Sequence, residues 1–266
     1  MFDYTNVTAT ILKEYMNNRP VKEYKVISPS SLGNCMRYHF LKLNGIQDTT
    51  PPNYGAMVNF QIGHIWEEFI AKAYEDQGVL VKWFKDGTDE PWVNKELGYG
   101  GTPDIIAKDE TGEEFIVDSK TVRSEWFRYL KLDLAKPDGF KKWVKDNKTY
   151  IFQQVCYMLL ARENGYPDMR YAVLSFASKD DGFVGLELKI TLTTELANMV
   201  LDRIKALRGY LDRNELPPCE CEGWKIQYCG MGDPHTRTFN AKKKEVNTTC
   251  CSEEIWTNHL KDKENK

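Results

Sequence analysis

The 266-residue chain has no apolar run long enough to span a bilayer, so no membrane-crossing helix is expected. It has no Gly-x-x-x-x-Gly-Lys-Ser/Thr loop, which excludes a nucleotide-driven motor of that type and leaves any strand separation to a partner or to thermal fraying. There is no internal repeat. Positive charge is not in excess: 36 Lys and Arg stand against 39 Asp and Glu, for a net charge of −3. The overall balance therefore does not announce a nucleic-acid binder, and any such contact must be local. No secretory signal opens the chain, so its seven cysteines are expected in a reducing compartment rather than in a disulfide framework. That compartment would be the cytoplasm of a bacterial or phage-infected cell.

What the sequence does have is enough apolar material for one sizeable core, with 41% hydrophobic and 12% aromatic residues. Its patterning predicts an N-terminal helical segment through Asn44 and a helix from about Met57 to Gln77. A strand near Val79–Lys85, a short one near Leu97–Tyr99 and a hairpin follow, then helical stretches from Glu125 to Arg162. Strands at Tyr171–Ser178 and Gly182–Thr191 precede a long helix from about Thr193 to Arg213. The expected class is α/β, a mixed β-sheet flanked by helices over residues 1–230. Residues 231–266 form a lysine-rich tail expected to be partly disordered.

The hairpin carries the chemistry. Asp104–Ala107 and Phe115–Thr121 are apolar and β-branched, and the polar run from Lys108 to Glu113 supplies turn residues including Gly112. A turn centred near Thr111 pairs residues whose numbers sum to about 222, which sets Asp104 opposite Asp118 with Cβ atoms roughly 5 Å apart. Like charges so opposed call for something positive between them, and hard oxygen ligands suit Mg²⁺ or Mn²⁺. Side chains alternate along a strand, so Lys120 points the same way as Asp118 while Ser119 points to the other face. The competing reading is a solvated hairpin with ordinary surface charges.

Gly101-Thr102-Pro103-Asp104 followed by Asp118-Ser119-Lys120 resembles the signature of the PD-(D/E)XK nuclease superfamily, whose core is restriction-endonuclease-like. His64-Ile65-Trp66-Glu67-Glu68-Phe69-Ile70 looks like the histidine helix of its RecB-type branch, and Gln153-Gln154-Val155-Cys156-Tyr157 like that branch's Gln-x-x-x-Tyr helix. The resemblance covers roughly residues 28 to 230, with the motifs in the expected order. It implies that His64, Asp104, Asp118 and the Ser119 carbonyl hold one or two Mg²⁺ or Mn²⁺ ions, which would activate water and neutralise the leaving oxygen. Lys120 would position that water and stabilise charge on the phosphate, and Gln153 and Tyr157 would line the DNA path. Glu67 or Glu68 would stand behind the histidine, Glu68 being favoured. The plainer alternatives are a structural or exposed His64 and a half-buried helix whose Gln153 and Tyr157 only cap its packed face.

Cys35 before this core and Cys219, Cys221 and Cys229 after it resemble the iron–sulfur subgroup of RecB-type nucleases, which includes CRISPR-associated adaptation exonucleases and their phage relatives. That resemblance implies a [4Fe-4S] cluster clasping the two ends of the domain. The spacing departs from the subgroup's Cys-x-x-Cys, since one residue separates Cys219 from Cys221 and seven precede Cys229. Zn²⁺, with Cys250-Cys251 as a possible ligand source, or unligated thiols remain open alternatives.

Residues 120–148 are strongly basic with Trp126, Phe127, Tyr129, Phe140 and Trp143 interleaved, which suits single strands or frayed duplex ends as well as a solvated helix face. The function expected is a divalent-metal-dependent DNA exonuclease serving recombination, repair, replication or spacer processing, with a helicase or recombination protein as a partner and its oligomeric state open. The alternatives are a structure-specific or restriction-type endonuclease and a non-catalytic DNA-binding subunit.

Overall fold

The protein is described by a computed structural model over residues 7–18, 25–48, 52–85, 88–181, 185–220, 239–240, 245–246 and 253–264. Helix α1 spans Val7–Asn17, a 3-10 turn covers Pro29–Ser31, and α2 spans Met36–Leu43. Helix α3, Tyr54–Asp76, begins where the Asn53 side chain accepts from the Ala56 amide at 2.9 Å. The strands β1 (Leu80–Trp83), β2 (Trp92–Asn94), β3 (Tyr99–Gly101), β4 (Ile105–Lys108) and β5 (Glu114–Val122) follow. Three helices, α4 (Ser124–Leu134), α5 (Gly139–Asp146) and α6 (Lys148–Glu163), lead to β6 (Tyr171–Ser178), β7 (Gly185–Thr191) and α7 (Thr194–Asp212).

Five strands form one mixed sheet in the order β1-β4-β5-β6-β7. The β5–β6 pair is parallel and the other neighbours are antiparallel. A parallel pair needs a long crossover, and α4, α5 and α6 supply it. The expected mixed sheet flanked by helices is what forms. The hairpin turn between β4 and β5 is built by Asp109, whose Oδ1 accepts from the Thr111 amide at 2.9 Å and the Glu113 amide at 3.0 Å. Gly112 sits there at φ 82°, a left-handed conformation that side chains disfavour. Strand β2 lay outside the expected pattern, and the strand expected near Leu97–Tyr99 begins only at Tyr99. Gly98 at φ 67° still belongs to the turn joining β2 to β3.

Strand alternation divides the interior into two layers. Ile105, Ala107, Phe115 and Val117 pack with Ala71 of α3 on one face. Ile106, Ile116, Leu174 and Phe176 face the larger core, to which α2, α6 and α7 contribute Phe40, Met158 and Ile204. Helix α6 is buried at Ile151 through Met158 without a break, as expected of a helix covered on several sides. Part of the tail expected to be disordered belongs to this core: helix α8, Glu253–Glu264, buries Trp256 edge-on against Phe40 with ring centroids 4.9 Å apart.

His39 of α2 is buried, and its Nε2 accepts from the Ser28 amide at 3.1 Å. Burial, with Arg203 nearby, pushes its pKa from 6.5 down to about 4. The unfolded chain therefore takes up this proton first, and stability falls as pH drops through 6.5 towards 4. The expected loss between pH 6.5 and 5 is roughly 2 kcal/mol from this group. Thermal melts across that window should slope less in His39→Gln than in the wild type; parallel slopes would refute the assignment.

Candidate active site

The β4–β5 ladder pairs Ile105 with Val117, Ile106 with Ile116 and Ala107 with Phe115. Each pair sums to 222, the expected register, and one step further it sets Asp104 across from Asp118. The Asp118 side chain is fully buried, Asp104 is half-buried, and the Lys120 side chain is 24% exposed. Strand alternation carries Asp118 and Lys120 to the face covered by α6. There the Lys120 Nζ lies 2.7 Å from Asp118 Oδ2. This is a short ion pair in a place closed to water.

Helix α6 and the backbone complete the surroundings. Gln153 Nε2 donates to Asp118 Oδ1 at 3.3 Å and stands 3.5 Å from the Tyr157 hydroxyl. Asp104 Oδ2 accepts from the Ser119 amide at 3.0 Å. A Cβ on Gly101 would stand 3.1 Å from Pro29 Cδ and 3.2 Å from Tyr157 Cε1. The lack of a side chain lets the segment leading to Asp104 lie against α6.

The electrostatics are those of two like charges in a dry place with one cation. Burial first, and Asp118 beside it second, raise the Asp104 carboxyl well above the usual carboxylate range. Glu67 of α3 pushes the same way, whereas Lys120 and the Ser119 amide oppose it. Burial works against the charge of Lys120, but Asp118 and Asp104 outweigh it and hold the ammonium protonated. Burial raises the Tyr157 hydroxyl, with Asp118 adding to the effect.

The histidine helix is arranged differently from expectation. His64 is exposed, and its Nδ1 lies 3.4 Å from Glu67 Oε2. Glu68, expected behind the histidine, turns outward to Lys72 at 3.0 Å because it lies around the helix from Glu67. Among the described residues no three His, Cys, Asp or Glu side chains converge closely enough to hold a metal ion. The set of His64 with Asp104 and Asp118 is therefore not assembled in this structure. The two carboxylates still fit a small divalent cation, being hard oxygen donors in a site where Asp104, Asp118 and Glu67 stand against one ammonium. The Ser119 carbonyl would be the neighbouring backbone donor.

The cysteine region is clasped by polar contacts. The Arg203 guanidinium of α7 donates to the Leu32 and Asn34 carbonyls at 2.7 and 2.6 Å and to both Glu220 oxygens at 3.0 and 2.6 Å. Glu220 Oε2 also accepts from the Met36 amide at 2.8 Å, and the Glu220 amide donates to Cys35 Sγ at 3.3 Å. Arg37 Nε donates to the Pro217 carbonyl at 2.7 Å. Burial opposes the charge of Glu220, yet Arg203 and the Met36 amide prevail and lower its pKa. The start of α2 with Cys35 is thus tied to the segment carrying Cys219. Cys221 and Cys229 lie outside the described residues, and no disulfide joins the described cysteines.

The basic stretch proves to be a mixture. Phe127 and Trp143 are buried in the core and Trp126 packs on Phe176, whereas Tyr129 and Phe140 are 60% and 45% exposed. Arg123, Arg128, Lys131, Lys142, Lys145 and Lys148 are all exposed.

No protein-family model and no curated protein matches the chain. Among solved structures it is similar to the alkaline exonuclease LHK-Exo from Laribacter hongkongensis in complex with dAMP, at 15% identity and a TM-score of 0.47, covering 71% of this chain and 89% of that one. It is also similar to a phage-related exonuclease from Haemophilus somnus, at 17% identity and a TM-score of 0.48, covering 75% and 97%. The functional reading rests on the residues of the site itself.

Two outcomes are expected. Asp104→Asn keeps an acceptor for the Ser119 amide but removes the opposed charge, so metal-free protein should melt several degrees higher at neutral pH. Millimolar Mn²⁺ should raise the melting temperature of the wild type but not of this variant; equal responses would remove Asp104 from the cation site. Arg203→Met breaks the clasp and should lower stability by roughly 2 kcal/mol in urea unfolding, and an unchanged midpoint would show the clasp to be idle.

Proposed function

We propose that the chain is a divalent-metal-dependent nuclease that hydrolyses phosphodiester bonds at single-stranded or frayed DNA ends. The observation that carries this reading is the buried Asp118 with Asp104 across from it and Lys120 in contact at 2.7 Å. Such an arrangement strains the fold unless charge chemistry is its purpose. Asp104, Asp118 and the Ser119 carbonyl would hold Mg²⁺ or Mn²⁺, which when bound supplies Lewis-acid activation of water and of the phosphate. Lys120, kept protonated by its two carboxylate neighbours, stabilises the charge that grows on the phosphoryl oxygens and orients the attacking water. Gln153 fixes Asp118 through Oδ1, and Lys120 holds Oδ2. Tyr157 remains a neutral hydroxyl beside the DNA path.

The exposed cations on α4 and α5, with Tyr129 and Phe140, support a path for single-stranded DNA leading from the end of β5. Cys35 and Cys219, brought near through the clasp, support a thiolate centre, a [4Fe-4S] cluster or Zn²⁺, completed by Cys221 and Cys229. Lys120→Ala should cut Mn²⁺-dependent digestion of end-labelled single strands by at least about 100-fold while leaving DNA binding intact. Covalently closed circles should survive the wild type. Cutting of circles would replace the exonuclease reading with an endonuclease, and wild-type rates in Lys120→Ala would end the assigned mechanism.

A further inference from the structure

Helix α3 is longer than the sheet surface it covers. Ala71 is buried at 1% exposure against Ile105, Ala107, Phe115 and Val117. Phe60 lies eleven residues earlier, three turns in all, so it projects from the same face of the helix. Yet Phe60 is 58% exposed, whereas Ala71 on the same face is buried. Glu67 and His64 occupy the same face between the two, Glu67 near enough for Asp104 to sense its charge. This end of α3 is anchored where the Asn59 side chain contacts the Lys179 ammonium. The Lys179 amide in turn donates at 3.0 Å to the carbonyl of Val122, at the end of the strand bearing Lys120. An aromatic ring on the sheet-facing side of α3 therefore stands exposed beside the end of the candidate catalytic strand.

The rise of an α-helix places Phe60 about 6 Å beyond His64 and about 10 Å beyond Glu67 along the axis. That matches the reach from a phosphate at the carboxylates to a base of the same or the next nucleotide. Every base offers an aromatic face, and stacking on a protein ring requires the base to be unpaired. We infer that Phe60 is a positioning residue on which a nucleobase of single-stranded DNA stacks while its phosphate lies at Asp104, Asp118 and Lys120. This rests on the nuclease reading and narrows it, since a duplexed terminal nucleotide cannot use the platform without fraying. Ile65 and Phe69 are also exposed, but they lie on the opposite side of α3 and have no part in this.

The test compares wild type, Phe60→Ala and Phe60→Trp on two single-stranded oligonucleotides, one normal and one with abasic sugars at its terminal nucleotides. KM and kcat are measured in Mn²⁺, and binding is measured in the Lys120→Ala background. Phe60→Ala is expected to raise KM and weaken binding about tenfold on the normal strand with kcat little changed, and Phe60→Trp to restore both. On the abasic strand the wild type should already show that loss, and Phe60→Ala should add nothing to it. Equal losses on both strands would show a merely structural Phe60 and overturn the inference, as would no loss on either. Self-association of the wild type that Phe60→Ala abolishes would overturn it in favour of a protein contact. Absence of DNA binding by the wild type would overturn the nuclease reading and this one together.

Discussion

The register of one hairpin governs this protein. The Asp109 turn and the β4–β5 ladder leave Asp104 and Asp118 facing each other at the end where the two strands diverge. Neither carboxylate can move off without slipping the ladder, and a one-residue slip would turn Ile106 and Ile116 away from the core. The packing of the sheet therefore enforces a like-charge contact that electrostatics alone would reject. Lys120, the Ser119 amide and Gln153 each relieve part of it. Together they still leave the Asp104 carboxyl raised well above the usual range. The packing of the sheet maintains this residual imbalance, which is what would hold the proposed cation site ready.

The two sides of the sheet contribute differently. Helix α6 is locked in place by burial along its length, so Gln153 and Tyr157 approach Asp118 with little freedom. Helix α3 packs on the sheet through Ile70, Ala71 and Tyr74 of its C-terminal half, and His64 nearer its middle is exposed. The chemistry is thus fixed from one side and approachable from the other. The clasp of Arg203 and Glu220 serves the rigid side, because the Leu32 and Asn34 carbonyls it holds lie in the segment that packs beside α6.

Much of this was legible in the sequence because alternation and turn chemistry are local. The hairpin register followed from the position of the turn, and β6 matched its expected span, Tyr171–Ser178, because β-branched and aromatic residues there are bounded by a clear turn. What could not be read depended on tertiary choice. Glu67 and Glu68 are neighbours in sequence, and only the crossing of α3 over β5 decides which of them approaches the site. The aromatics of residues 126–143 split between core and surface because Phe176 takes Trp126 and Trp143, a pairing that spans more than thirty residues. Strand β2 has three residues and a proline before it, too short for any periodic signal. Trp256 gives no periodic signal within a polar, lysine-rich tail, although with Leu260 it docks the helix on the core.

The distribution of charge follows from the site. Asp104, Asp118 and Glu67 outnumber Lys120, so the pocket taken alone repels a polyanion, and the net charge of −3 does nothing to offset this. At physiological ionic strength charges act over about 8 Å, so attraction must come from cations next to the path rather than from the molecule as a whole. Helix α4 follows β5 directly and α5 follows α4, and both present arginines or lysines to solvent. Their placement makes binding depend on a strand lying along them, whereas a phosphate arriving at the carboxylates from elsewhere gains nothing. On the proposed nuclease reading, an acidic protein with this local array would favour a threaded strand over nonspecific duplex.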